Sequence, residues 1–333
     1  MMKNNLKDIK IDIVYTWVDD SDPVWNKKKD YYLNKEEKIV RSNNDKCRYK
    51  NNDELKYSLR SLEKNANWIN NIYIVTDSQI PKWLNIENPR IKIVDHKDII
   101  PEKYLPTFNS CAIEHCISNI KGLSEYFLYG CDDNFFARPI TPNFFFKKDG
   151  YPVLRYSTTY EDNEDSLYKK MVKNSDNLVA SKFRKKIKHF AHHNIDAYRK
   201  SDLISCKTLF NDKIEQTVAS RFRKDSNIER TVYANYAIAI KHGHYKNVSF
   251  SIKSFPVYRY IPFARKIVRL LNEKFSYETV YISGNELDYI KFLQNPNTKL
   301  FCINDGENIE DKDKKRLQSF LEIYFPKKSS FEK

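Results

Sequence analysis

Apolar residues in this chain gather in short runs, and several of those runs end on acids. Residues 11–18 read Ile-Asp-Ile-Val-Tyr-Thr-Trp-Val, rich in β-branched and aromatic side chains, and predict a buried strand. Asp19-Asp20-Ser21-Asp22-Pro23 stops it. Ile72-Tyr73-Ile74-Val75-Thr76 predicts a second strand closed by Asp77-Ser78, and residues 91–94 a third followed by Asp95-His96. Tyr126-Phe127-Leu128-Tyr129 predicts a fourth, ending in Gly130-Cys131-Asp132-Asp133. Between them, Asn52 to Lys64 carries Leu55, Leu59 and Leu62 at helical spacing with Asp53 as a candidate cap, and Ala112 to Ile120 reads as helix. This alternation predicts an α/β fold with a mainly parallel, Rossmann-like sheet and crossover helices.

From about 160 to 230 the chain turns polar and basic, and helix is expected there. Thr231 to Ile240 and Lys312 to Tyr324 predict further helices, and Lys299 to Ile303 a short strand. A soft boundary near 160–180 divides the reading into an α/β part over residues 9–175 and a largely helical part over 176–333. The two are expected to complete one site.

Composition narrows the chemistry. Six glycines in 333 residues leave no Gly-rich phosphate loop. Six cysteines without a CxxC pair fit free thiols in a reducing cytoplasm rather than a zinc ribbon or a disulfide scaffold. Met1 to Lys10 is polar and is not expected to be a secretory signal, and no apolar run is long enough to span a bilayer. The net charge of +14 favours anionic partners such as nucleotides, anionic polymers, nucleic acid or acidic lipid. Runs such as Lys27-Lys28-Lys29 and Lys185-Lys186 read first as solvated faces.

In an open α/β sheet, ligands sit past the carboxyl ends of strands. Asp132-Asp133 is therefore the most informative pair. Adjacent carboxylates after an apolar strand need compensation, and a divalent cation supplies it, although a turn or a helix cap is an alternative. Asp19, Asp77 and Asp95-His96 follow strands in the same way, and each alone also suits a turn or cap. His189, His192 and His193 lie near Asp196. They suit a general base, a transition-metal site or a wet helix face, and the wet helix is the plainest reading. Arg221 and Arg223 flank Phe222 and suit phosphate oxygens, or a solvated basic helix. Asn304-Asp305 offers oxygen ligands, or a turn with Gly306.

Taken together, these segments resemble the Stealth family of capsular polysaccharide phosphotransferases. Residues 11–19 look like its first signature block. Arg48-Tyr49, Asn52 to Ser61, Ile72 to Asp77, Gln79-Ile80-Pro81, Leu105 to Ser110, Ala112-Ile113-Glu114 and Asp132-Asp133 look like its second. His193-Asn194-Ile195-Asp196 with Thr217 to Arg223 resembles a third block, and Cys302 to Asp305 with Phe325-Pro326 and Ser330-Phe331-Glu332 the last. Relatives often carry histidine where Asp196 stands and asparagine where Cys131 stands.

The resemblance implies a core of nucleotide-sugar transferase type, a UDP-sugar donor, Mg²⁺ or Mn²⁺, and release of UMP. An oligo- or polysaccharide would be the acceptor, and the protein would work in the cytoplasm or peripherally at the inner membrane. On that expectation His193 is the base, with His192 and Asp196 as alternatives. Arg223 and the metal would stabilise charge on the transferring phosphate, Asp133 counts with His193 and Arg223 as catalytic, and Asp132, Asp133, Asn304 and Asp305 are metal candidates. Asp19 and Asp77 would hold the uridine end, with Arg60, Asn109 and Ser110 near the phosphates. A glycosyltransferase releasing UDP and a non-catalytic polyanion binder are the competing expectations. The acidic strand ends count against nucleic acid as a partner.

Overall fold

The computed structural model describes residues 9–36, 46–160, 166–248, 278–283, 295–304 and 310–333. Four strands run parallel in the order β3 (Ile91–Asp95), β2 (Ile72–Thr76), β1 (Ile11–Thr16), β4 (Tyr126–Cys131). Ile13 pairs with Ile72 on one side and Leu128 on the other. β8 (Asp196–Arg199) closes the β4 edge antiparallel, so the second half of the chain supplies a strand to the first half's sheet. The helices α1 (Pro23–Leu33) and α2 (Glu54–Asn65) lie between β1 and β2 in sequence, and α3 (His96–Ile99) and α4 (Ser110–Glu114) between β3 and β4.

Both faces of the sheet are covered, as a parallel sheet requires. Along β1 the alternation sends Ile11, Ile13 and Tyr15 against Leu55, Leu59 and Leu62 of α2. Val14 goes the other way, into a cluster with Val75, Phe127 and Tyr129. That cluster also takes Leu203 of α7 (Lys200–Leu209), Ile214 of α8 (Asn211–Val218) and Val232 of α9 (Thr231–Ala239). Asp12 is fully buried on the same strand. It is tolerated because it accepts from Asn70 Nδ2 (2.8 Å), the Asn71 amide (2.9 Å) and the Ser124 amide (2.7 Å).

Two smaller sheets flank this core. β5 (Asn134–Phe136) pairs antiparallel with β11 (Leu300–Asn304), which runs parallel to β10 (Thr279–Ser283). Phe135 stacks on Phe301 at 4.7 Å, and Phe325, just after α10 (Asp311–Tyr324), stacks on Phe301 at 6.3 Å. After the short α5 (Pro142–Phe145) comes β6 (Val153–Thr159), which lies between β7 (His189–Ala191) and β9 (His244–Asn247). Tyr156 of β6 packs on Ala234 and Ala237 of α9, and α9 in turn lies against α6 (Leu167–Phe183).

Three expectations need correction. Asp53 does not cap α2 with its side chain. Its backbone is left-handed (φ 65°) and its carboxylate takes Lys56 at 3.3 Å, while Glu54 accepts the Asn52 amide. The histidines do not ride a wet helix, since His189 lies on β7 and His192-His193 on the turn into β8. Within the lysine run, Lys29 is buried over the rings of Trp25 (5.2 Å) and Tyr49 (4.9 Å).

Candidate active site

A cavity of about 590 Å³ opens at the carboxyl ends of β1, β2 and β4, a size ordinary for a small-molecule site. Thr16 and Trp17 border it from β1, Asp77 from beyond β2, and Cys131-Asp132-Asp133 from the end of β4. Ser110 and Glu114 of α4, Asn304 of β11, and His193, Arg223 and Arg230 complete its chemistry.

The β4–β5 turn is held by Asn134. Its Oδ1 accepts the Cys131 amide (2.9 Å) and its Nδ2 donates to Asp133 Oδ1 (2.9 Å). The other oxygen, Asp133 Oδ2, lies 3.3 Å from Cys302 Sγ and 3.5 Å from Asn304 Nδ2. Gly130 lets this turn form beside β8. A Cβ there would stand 3.3 Å from both Ile195 Cγ1 and Tyr15 Cε1. Gly130→Ala is therefore expected to cost about 1–3 kcal/mol, read as a lower denaturant midpoint.

Glu54, also lining the cavity, accepts from the Asn52 amide (2.6 Å) and Nδ2 (2.7 Å). Burial first, and then the Asp132 charge, push its carboxyl up to about 8. A raised carboxyl stabilises the folded chain below its ordinary pKa of 4.5, and that contribution drains away as pH climbs to about 8. Glu54→Gln should flatten the fall of thermal stability over this window. An unchanged slope would show that Glu54 ionises without cost.

Of the three candidate bases, only His193 lines the cavity. Asp196 is committed to Arg230, whose Nε donates to Asp196 Oδ2 at 2.7 Å. His192 is buried and does not line the cavity. His193 Nε2 lies 3.9 Å from Asp133 Oδ2, and its Nδ1 lies 3.4 Å from Arg230 Nη2. Burial lowers its pKa to about 3, assisted by Arg230, His192 and Arg223, so the imidazole is neutral near pH 7.

Arg223 is aimed by its neighbour. Phe222 is fully buried and stacks on Phe108 at 5.1 Å, which in turn meets Trp25 edge-on. That anchor sends Arg221 to the Pro106 carbonyl (2.8 Å) and over the Tyr32 ring. Arg223 goes to the cavity, where its Nη2 donates to Ser110 Oγ.

Not every expected residue reaches the cavity. Asp19 does not line it, and its Oδ1 accepts the Ser21 amide (2.9 Å). Asp77 lines it, paired with Lys28 at 2.5 Å. Asp95 caps α3, accepting the Lys97 amide. Arg60 is turned away altogether. It grips both Glu332 oxygens (2.9 Å each), Glu322 (3.0 Å) and the Phe325 carbonyl (2.9 Å), and so clamps the C-terminal segment onto α2. Asn109 is buried, accepting the Cys111 amide and donating to the Ser220 carbonyl (2.9 Å) and Asn227 (3.0 Å), so it holds the approach to Arg223 rather than a phosphate. Asp305 lies outside the described residues.

The structure also brings in Glu54, Glu114, Glu229 and Arg230. Glu114 accepts from Tyr129 OH at 3.2 Å, and burial raises its carboxyl. Burial likewise lifts Glu229, to about 7. In the sequence, the only signal for Glu229-Arg230 is a charged pair set directly before the apolar helix α9.

Comparison with known proteins bears on this arrangement. Models of Stealth conserved regions 1, 2 and 4 match residues 10–37, 48–154 and 291–333, together more than half of the chain. The chain belongs to the Stealth family. Cys131, Asp132, Asp133, Ser110 and Glu54 of the cavity lie within the second region, and Asn304 within the fourth. His193 and Arg223 fall between the matched spans.

An exopolysaccharide phosphotransferase of Streptomyces coelicolor is 35% identical over 341 residues, covering 97% of this chain and 51% of that protein. A capsular polysaccharide phosphotransferase of Haemophilus influenzae is 33% identical, covering 70% of this chain and 66% of its own length. A receptor polysaccharide phosphotransferase of Streptococcus oralis is 29% identical over nearly the whole of both chains. This Stealth chain spans about half the length of two of the Streptomyces relatives it matches, and less of others. A galactosyltransferase crystallised with donor and acceptor sugar analogues superposes at a TM-score of 0.45 and 10% identity. That likeness is slight, and the α/β architecture rests on the strand order itself.

Proposed function

We propose that this Stealth protein transfers a hexose-1-phosphate, of the N-acetylhexosamine class, from a UDP-sugar to a hydroxyl of a capsular or cell-surface polysaccharide, releasing UMP. The observation that carries this reading is the convergence of a neutral imidazole (His193), a guanidinium (Arg223) and a carboxylate turn (Asp132-Asp133) in one cavity at strand ends. The names of these relatives, all polysaccharide phosphotransferases, support it.

In this reading the acceptor oxygen attacks the phosphorus that bears the sugar. A new O–P bond forms, the bond from that phosphorus to the bridging oxygen breaks, and UMP departs with the electron pair. His193 takes the hydroxyl proton. Arg223 holds phosphate oxygens, with Ser110 steadying it. Asp132, Asp133 and the amide oxygen of Asn304 are donors of the type that hold Mg²⁺ or Mn²⁺, and such an ion would neutralise charge on the diphosphate. Asp77, which lines the cavity and pairs with Lys28, would hold the nucleoside end.

Peripheral work at the inner membrane belongs to the same proposal. No helix among the described residues is long and apolar enough to cross a membrane, and a charge of +14 suits an anionic lipid face.

The test is the identity of the released nucleotide. With UDP-N-acetylhexosamine, Mg²⁺ and oligosaccharide acceptors, UMP and a phosphodiester product are expected. Release of UDP would make the protein a glycosyltransferase. EDTA should abolish turnover, whereas a mere polyanion binder would respond to salt instead.

A further inference from the structure

We propose that Cys131, Asp133 and His193 form a binding site for a borderline transition-metal ion of the zinc and cobalt class. One ligand atom from each of the three lies within 4.8 Å of the other two. The set is mixed: sulfur, carboxylate oxygen and imidazole nitrogen. Hard cations such as Mg²⁺ prefer oxygen throughout and keep much of their water, whereas thiolate and imidazole select zinc and its neighbours.

The spacing fits such an ion. His193 Nε2 and Asp133 Oδ2 stand 3.9 Å apart, too far for a hydrogen bond. Tetrahedral bonds of roughly 2.1 Å set neighbouring ligands about 3.4 Å apart, so this edge closes by about half an ångström on binding. The three ligands line an open cavity, so a fourth position faces the ligand space.

The supporting shell is already in place. Fully buried Asn134 ties Asp133 Oδ1 and the Cys131 amide, which fixes the direction of both residues. Cys302 Sγ, 3.3 Å from Asp133 Oδ2, lends a second sulfur beside the site. Ligation through Nε2 moves the imidazole proton to Nδ1, so the Arg230 N–H turns aside. That contact is only a marginal 3.4 Å, and Arg230 keeps Asp196 at 2.7 Å. The Cys131 thiol gives its proton to solvent as the metal–sulfur bond forms.

The site shares Asp133 with the oxygen donors named above, so the two ions exclude one another. It does not depend on the reaction assigned to the cavity, and its test reads no turnover.

Chelator-treated full-length protein is titrated with Co²⁺ and then with Zn²⁺, following absorption. A near-ultraviolet thiolate-to-cobalt charge-transfer band is expected, saturating at one ion per chain and bleached by Zn²⁺. Cys131→Ser should abolish the band, and His193→Ala should weaken binding by more than the roughly 10–100-fold that loss of an outer-shell partner costs. Cys302→Ser should keep the band, which also controls for a folding defect from removing a buried thiol. No band, or a band that survives Cys131→Ser or disappears with Cys302→Ser, overturns the assignment.

Discussion

His193→Ala is expected to cut turnover by about 10²–10⁴-fold while leaving affinity for the nucleotide sugar within a few-fold. The side chain lines the cavity but is not needed to hold Arg223 or the Asp132-Asp133 turn, which have their own partners in Ser110 and Asn134. Loss of a proton acceptor should therefore appear in kcat rather than KM. The pH profile adds a second readout. The imidazole pKa is lowered to about 3, so it stays neutral as pH falls through 6.5, where an ordinary histidine would gain its proton. The acid side of kcat/KM should show no imidazole limb near 6.5. In the complex, the donor's phosphates offset the field of Arg230 and Arg223, which raises the basicity of His193 when a proton has to be taken. A variant that binds donor poorly yet turns over normally would remove His193 from the chemistry.

Much of this site was legible because strand patterning is local. The apolar runs at 11–18, 72–76 and 126–129 place their trailing residues at the carboxyl edge of a parallel sheet, and Asp77 and Asp132-Asp133 do line the cavity. What local pattern cannot supply is the direction of a long side chain. Arg60 has the chemistry to bind phosphate, but its partners, Glu322 and Glu332, lie more than 260 residues away in sequence. Asn109 is likewise claimed by Asn227, from the far side of α8. Glu54 stands in the first turn of α2, where an acid is ordinary, and only burial beside Asp132 marks it as different.

The short strands failed for another reason. β9 reads His-Tyr-Lys-Asn and β8 Asp-Ala-Tyr-Arg, with too few apolar letters to show a period. Pairing with β6 and β4 makes them strands. The histidine turn into β8 inherits its position from those long-range ladders, which is why a helix face was the natural reading of the sequence.

Arg223→Lys should lower kcat/KM by about 10²–10³-fold, comparable to losing one preorganised donor at a developing charge. The exchange keeps the positive charge and removes the planar fork, so a point charge would be nearly neutral while a bidentate contact would not. Its neighbourhood makes the substitution clean. Phe222 carries the packing of this segment through Phe108 and Trp25, and Asn109 and Asn227 hold its backbone from behind. The substituted side chain would thus sit on an unaltered scaffold, and Tm should move little. Phe222→Ala makes the complementary case, stripping a fully buried ring at a cost of about 3–5 kcal/mol. If Arg223→Lys lowers Tm as much as Phe222→Ala while kcat/KM per folded molecule holds, the guanidinium serves the fold. If activity falls and Tm holds, the aromatic anchor exists to aim Arg223 at the transferring phosphate.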